Sequence, residues 1–219
     1  MQRSLLARLA LPFLLAALAA CHPVDYFPKT VNARTTPNGE LQVDLNLQPK
    51  QAYKITATIA NAPGPFAEVI GMGAYQAANP NTCGKNNKIA GVAPGISTGV
   101  PFALTKVSDN QYEGTMYTDR LQDADYYGRG VCRWEFVAAS VSLRATGVEG
   151  ETVFDPDLSA EEVVAQKSKK IYLLKEFYPR VADYDNFADS GQADRSSYAP
   201  AITDDELFTI TLTAEKVEP

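Results

Sequence analysis

Apolar and polar positions alternate along much of this chain. Leu41, Val43, Leu45 and Leu47 fall on one side and Gln42, Asp44 and Asn46 on the other, the period-2 signature of a half-buried strand. Tyr53, Ile55, Ala57 and Ile59 repeat it after a turn around Pro49-Lys50-Gln51. Two such runs joined by few residues predict an antiparallel pair. Asn38-Gly39, ahead of the first run, suits a tight turn with positive φ. Glu68 to Ala77 is a more apolar strand, in which Gly71 and Gly73 mark a bulge or a close backbone approach. Phe102–Val107 and Tyr112–Thr118 flank Ser108-Asp109-Asn110-Gln111 and read as a hairpin. Ile171 to Tyr178 has strand character. Phe208, Ile210, Leu212 and Ala214, alternating with Thr209, Thr211 and Thr213, form the cleanest strand of all.

The stretch Tyr126–Leu143 carries the chain's one tryptophan, Trp134, and a cysteine, Cys132. Cys132, Trp134 and Phe136 share a face, but further on the apolar positions are Val137, Val141 and Leu143. One extra residue near Ala138-Ala139, a β-bulge or kink, reconciles the two parities; partial cover of both faces is the alternative. One helix is legible. Ser159-Ala160-Glu161-Glu162 fits a capping box, with Leu158 and Val163 placed to staple the first turn, and it should end near Lys167. Asp183 to Pro200 reads as a long polar loop.

Short strands, turn-rich connections and a cysteine beside a core tryptophan predict an all-β domain. Its expected form is a disulfide-tied, two-sheet antiparallel β-sandwich with one short helix. The domain is expected over residues 31–219, after a leader at 1–20 and a tether at 21–30.

That leader has Arg3 and Arg8, an apolar run from Leu9 to Leu18, and then Leu18-Ala19-Ala20-Cys21. The run is too short to span a bilayer, which takes about 20 apolar residues, and it fits an export signal. Met1–Cys21 resembles the lipobox leader of bacterial lipoproteins. The resemblance implies that Cys21 becomes the lipidated first residue of the mature chain. Acyl chains at about 0.8 kcal/mol per buried CH₂ then hold the protein without a transmembrane helix. His22 follows, where Asp would favour inner-membrane retention under the enterobacterial rule. The implied address is the periplasmic side of the outer membrane of a Gram-negative bacterium.

Export changes the charge and cysteine arithmetic. Losing Arg3 and Arg8 takes the 20 basic residues to 18, against 26 acidic ones, a net charge of −8. Nucleic acid and anionic head groups require basic patches, so neither is an expected ligand. Cys83 and Cys132 remain in an oxidising compartment, where one intramolecular disulfide is the default. Two free thiols or a metal site are the alternatives. A zinc site would lack ligands, because His22 is the one histidine.

The same shortage bears on catalysis. Ser-His-Asp and Cys-His sets need a base inside the fold, and the mature domain has no histidine after His22. Ser168-Lys169-Lys170 reads as a solvated turn. No Gly-rich phosphate loop joins a strand to a helix, and the carboxylate pairs lack the larger, aromatic-lined domain of a glycosidase. We therefore expect no enzyme and no cofactor.

Two acidic loops are the sharper candidates. Asp183, Tyr184, Asp185, Phe187 and Asp189 interleave carboxylates with aromatics. Three readings stand open: a solvated loop whose aromatics cover the sandwich end, a recognition loop for a cationic cleft, and a Ca²⁺ site. An EF-hand is excluded, because Phe187 occupies a ligand position. Asp123, Asp125, Tyr126, Tyr127 and Arg129 have the same character, and loops on a rigid scaffold are where binding resides. Their tyrosines would otherwise roof the core beside the disulfide.

The Leu18–Cys21 lipobox, the stretch Tyr126-Tyr127-Gly128-Arg129-Gly130-Val131-Cys132-Arg133-Trp134 and the acidic β-rich body together give a family resemblance. The chain looks like the small lipoproteins that accompany antibacterial effectors of type IV or type VI secretion systems. The resemblance implies an immunity protein that binds a periplasm-acting toxin and blocks its active site. The alternative is a structural lipoprotein of a cell-envelope or secretion assembly. A carrier of a small hydrophobic ligand is a third class, and would need a cavity.

Overall fold

The structure is a computed structural model that describes residues 30–35, 39–83, 95–126 and 128–219. The leader, Cys21, the Asn38 turn position and Tyr127 lie outside the described residues. The chain enters through a hairpin of β1 (Thr30–Thr35) and β2 (Gly39–Asp44), crosses to a second sheet as β3 (Ala52–Ala60), and returns as β4 (Glu68–Ala77). A single helical turn, α1 (Pro80–Cys83), precedes β5 (Ile96–Phe102). β6 (Thr105–Ser108) and β7 (Gln111–Tyr117) form the expected hairpin in the second sheet. β8 (Trp134–Arg144), β9 (Val153–Phe154) and β10 (Asp157–Ser159) lead to α2 (Ala160–Val164). β11 (Ser168–Leu174), β12 (Ala188–Asp189) and β13 (Leu207–Val217) complete the chain.

Sheet one has the order β12-β9-β8-β4-β5-β1-β2, with β10 also on β8; sheet two runs β11-β13-β3-β7-β6. The expected β-sandwich is what forms. Pairing is antiparallel except between β12 and β9, which run parallel. The alternation read from the sequence decides what the sheets bury. Tyr53, Ile55, Ala57 and Ile59 of β3 and Phe208, Ile210, Leu212 and Ala214 of β13 meet Ala139, Val141 and Leu143 of β8 in one buried cluster. Phe154 fills its centre, edge-to-face against Phe208 at 5.1 Å and Phe66 at 5.9 Å.

A second, smaller cluster gathers Val43, Leu45, Tyr75, Val100 and Leu121 around Cys83 and Cys132. Those cysteines are bonded, with Cα atoms 4.8 Å apart. The predicted bulge in β8 sits at the junction of the clusters. Ala138 pairs with Ala74 and Phe136 with Tyr75, which leaves Val137 over. Trp134 thus turns to the small cluster and Phe136 touches both, while Ala139, Val141 and Leu143 turn to the large one. Gly71 is a close approach, because a Cβ there would lie 2.3 Å from the Phe102 ring.

Three local expectations give way. β2 pairs with β1, Val43 opposite Val31, and β3 lies in the other sheet between β7 and β13. The linker between them is held by another segment. Asp119 accepts from the backbone N–H groups of Lys50 (2.8 Å) and Gln51 (3.1 Å), and the Arg120 carbonyl takes that of Asn46 at 2.8 Å. The Phe102–Val107 run is divided for a similar reason: Phe102 closes β5 in sheet one and Thr105 opens β6 in sheet two. Ser168-Lys169-Lys170 opens β11 rather than forming a turn; Lys169 lies across Glu162 and the Asp157 carbonyl. The capping box is present as read, Ser159 accepting from the Glu162 N–H and Glu162 from that of Ser159.

Candidate functional site

The predicted contact residues divide between opposite ends of β8. At roughly 3.3 Å per residue, this strand holds its two ends about 30 Å apart. The two loops therefore make two surfaces.

At the disulfide end the carboxylates are exposed but engaged by backbone N–H groups. Asp123 accepts the Trp134 N–H at 2.9 Å, which fixes the start of β8. Asp125 accepts the N–H groups of Arg129 (2.9 Å) and Gly130 (3.1 Å). Gly128 and Gly130 supply the positive φ, 67° and 102°, that this turn requires. The Tyr126 ring packs on the small cluster and its hydroxyl donates to the Gln122 carbonyl at 2.6 Å. Burial, above all, holds that hydroxyl above the usual tyrosine value. Arg129 is exposed. A cleft of about 590 Å³ is lined by Asp123, Trp134 and Phe136 and, from α2, by Val164.

The far end is built to hold a loop outward. Glu151 is buried, and its carboxylate takes the Thr146 N–H (2.9 Å), the Thr146 hydroxyl (2.7 Å) and the Gly147 N–H (3.1 Å). Burial pushes its titration upward, but these donors outweigh it and hold the carboxyl below the usual glutamate value. The neighbouring loop is pinned at several points. Asn186 accepts the Gly150 N–H at 3.2 Å, Arg180 pairs with Asp185, and the Phe187 carbonyl takes the Val153 N–H at 2.8 Å. The Phe187 ring meets Phe177 edge-on at 5.1 Å. Asp183 (φ 68°) and Asn186 (φ 53°) bracket the tip in the left-handed region, which those two residue types tolerate best after glycine. Between them Tyr184 is left 63% exposed, next to the exposed Asp183.

Of the open readings of this loop, the covering role falls chiefly to Phe187, against which the Tyr184 ring lies tilted at 6.3 Å. Among the described residues no three His, Cys, Asp or Glu side chains gather as metal ligands. Asp189 is set back from the tip in β12. One of its oxygens takes the Gly191 N–H at 2.9 Å and the other is buried without a partner; burial raises its titration above the usual value.

Sequence reasoning passed over Glu151, Arg180 and Val148. Val148, 61% exposed, stands in the glycine-flanked turn that Glu151 closes. The two glycines at 147 and 150 around one valine were the available signal. The far end exposes an aromatic ring, an aliphatic side chain and a carboxylate: Tyr184, Val148 and Asp183. Comparison with protein families, with curated proteins and with solved structures finds no match to this chain.

Proposed function

We propose that this chain is a lipid-anchored protein of the periplasmic side of the outer membrane, and that its sandwich binds and inhibits a cognate secreted antibacterial toxin. One observation supports the binding role above the rest: Tyr184 stands 63% exposed in a loop pinned just after it by Asp185, Asn186 and Phe187. A rigid tyrosine brings large contact area at little entropic cost, and tyrosine is enriched among energetic hot spots. The Leu18–Cys21 leader and the Cys83–Cys132 bond support an exported, oxidised location. The toxin class is the part taken from the family resemblance.

The test is genetic. If a secreted effector is encoded beside this gene, deleting this gene alone should arrest growth, and deleting both should restore it. Indifference to the single deletion, with the effector expressed and active, would contradict the reading.

A structural role in an envelope assembly is favoured by a different surface. Ile70, Met72 and Ala74 of β4 and the bulged Val137 face outward beside Gly99 and Ser140, an uncharged strip on an otherwise acidic protein. That role predicts co-purification with membrane machinery rather than with a soluble toxin.

A further inference from the structure

Sheet one and sheet two separate where β5 faces β7, and the gap is a cleft of about 320 Å³. That lies within the roughly 300–1,000 Å³ of small-molecule sites. Its floor is apolar and buried: Val100 and Phe102 from β5, Met116 from β7, and the Tyr75 ring. The Tyr75 hydroxyl already donates to the Tyr117 carbonyl. Met116, with its flexible thioether, lets such a floor adapt to an occupant.

Among the described residues that line it, Arg120 is the one cation. Arg120 donates to the Asn46 carbonyl at 2.8 Å and lies over the Tyr117 ring, 6.0 Å from its centroid. Those contacts leave further donors of the five-donor fork available. The adjacent carboxylate, Asp119, is held by the Lys50 and Gln51 backbone. Among the described residues Arg120 has no carboxylate within ion-pair distance. An apolar slot ending at an un-neutralised guanidinium is complementary to a chain that is apolar along its length and anionic at one end.

We propose that the β5–β7 cleft binds a free alkyl carboxylate of medium length, its chain on Val100, Phe102 and Met116 and its head group on Arg120. This site is separate from the Tyr184 surface, and it stands or falls independently of the toxin reading.

The probes are octanoate and octanol, titrated by NMR into the full chain carrying Cys21→Ser, which removes the lipidation site. Octanoate should bind saturably, with shifts centred on Val100, Met116 and Arg120, and octanol about ten-fold more weakly, the loss of one charge-assisted contact. Arg120→Gln should erase that difference and Arg120→Lys should keep most of it. Equal affinity for the two probes in the parent chain, which needs no variant to fold, would overturn the proposal. So would shifts that miss the cleft, or the absence of saturation. Flotation with phosphatidylglycerol vesicles without octanoate binding would also overturn it, in favour of a bilayer surface.

Discussion

The two ends of this sandwich have nearly the same vocabulary and use it differently. Asp123, Asp125 and Tyr126 at one end, and Asp183, Tyr184 and Asp185 at the other, are both aspartate–tyrosine runs in a loop. At the disulfide end the carboxylates accept backbone N–H groups, and the tyrosine lies on a core with its hydroxyl satisfied. At the far end other residues supply the holding contacts: Glu151, Arg180, Asn186 and Phe187. Tyr184 and Asp183 are then left to solvent. An acidic loop becomes a presenting surface when its anchors are residues other than the ones it presents. Composition is silent on that distinction, because it depends on where backbone donors happen to point.

Removing the tie at one end should give the largest effect. The Cys83→Ala/Cys132→Ala double variant opens a loop of sequence separation 49, worth about 4 kcal/mol in the chain-entropy model. Denaturant unfolding measures that loss. Hydrogen exchange should rise across residues 119–134 and stay unchanged across 180–187. At the other end Glu151→Gln should cost about 2 kcal/mol, since it weakens three charge-assisted bonds at once. Its carboxyl titrates below the ordinary value of 4.5 in the fold. The carboxylate's contribution is therefore complete above pH 4.5 and fades as pH falls through the folded value, so parent and variant should converge in acid.

Smaller changes sharpen the contrast. Tyr126→Phe removes a satisfied hydroxyl and should cost about 1 kcal/mol by thermal or chemical melting. Asp189→Asn should do the opposite. Burial raises the Asp189 titration above 3.8, so the parent loses stability as pH climbs through that raised value. The variant should melt slightly higher at pH 7, by less than about 1 kcal/mol for a partly exposed group, and should show no advantage below pH 3.8.

Much of the fold was legible. The alternation in β3 and β13 set their buried faces, Ser159 and Glu162 announced α2, and the parity change after Phe136 revealed the bulge at Val137. What stayed hidden was long-range. Nothing local to Pro49-Lys50-Gln51 says that the Asp119 carboxylate, nearly seventy residues on, holds that linker and sends β3 to the other sheet. The two-residue β12 has no pattern of its own and exists because Val153 offers it a partner. Nothing local to Arg120 marks it, since its cleft forms only when β5 and β7 face each other.

The proposed function places recognition at the far end of the sandwich. The most direct measurement compares affinity for the cognate effector in Tyr184→Ala and Asp123→Asn. Loss of an exposed tyrosine anchor should weaken binding by about 2 kcal/mol or more, with folding stability within about 0.5 kcal/mol of the parent. Asp123→Asn should affect stability and leave affinity nearly intact. Tight binding by Tyr184→Ala together with lost binding in a folded Asp123→Asn would contradict that placement and move the surface to the disulfide end.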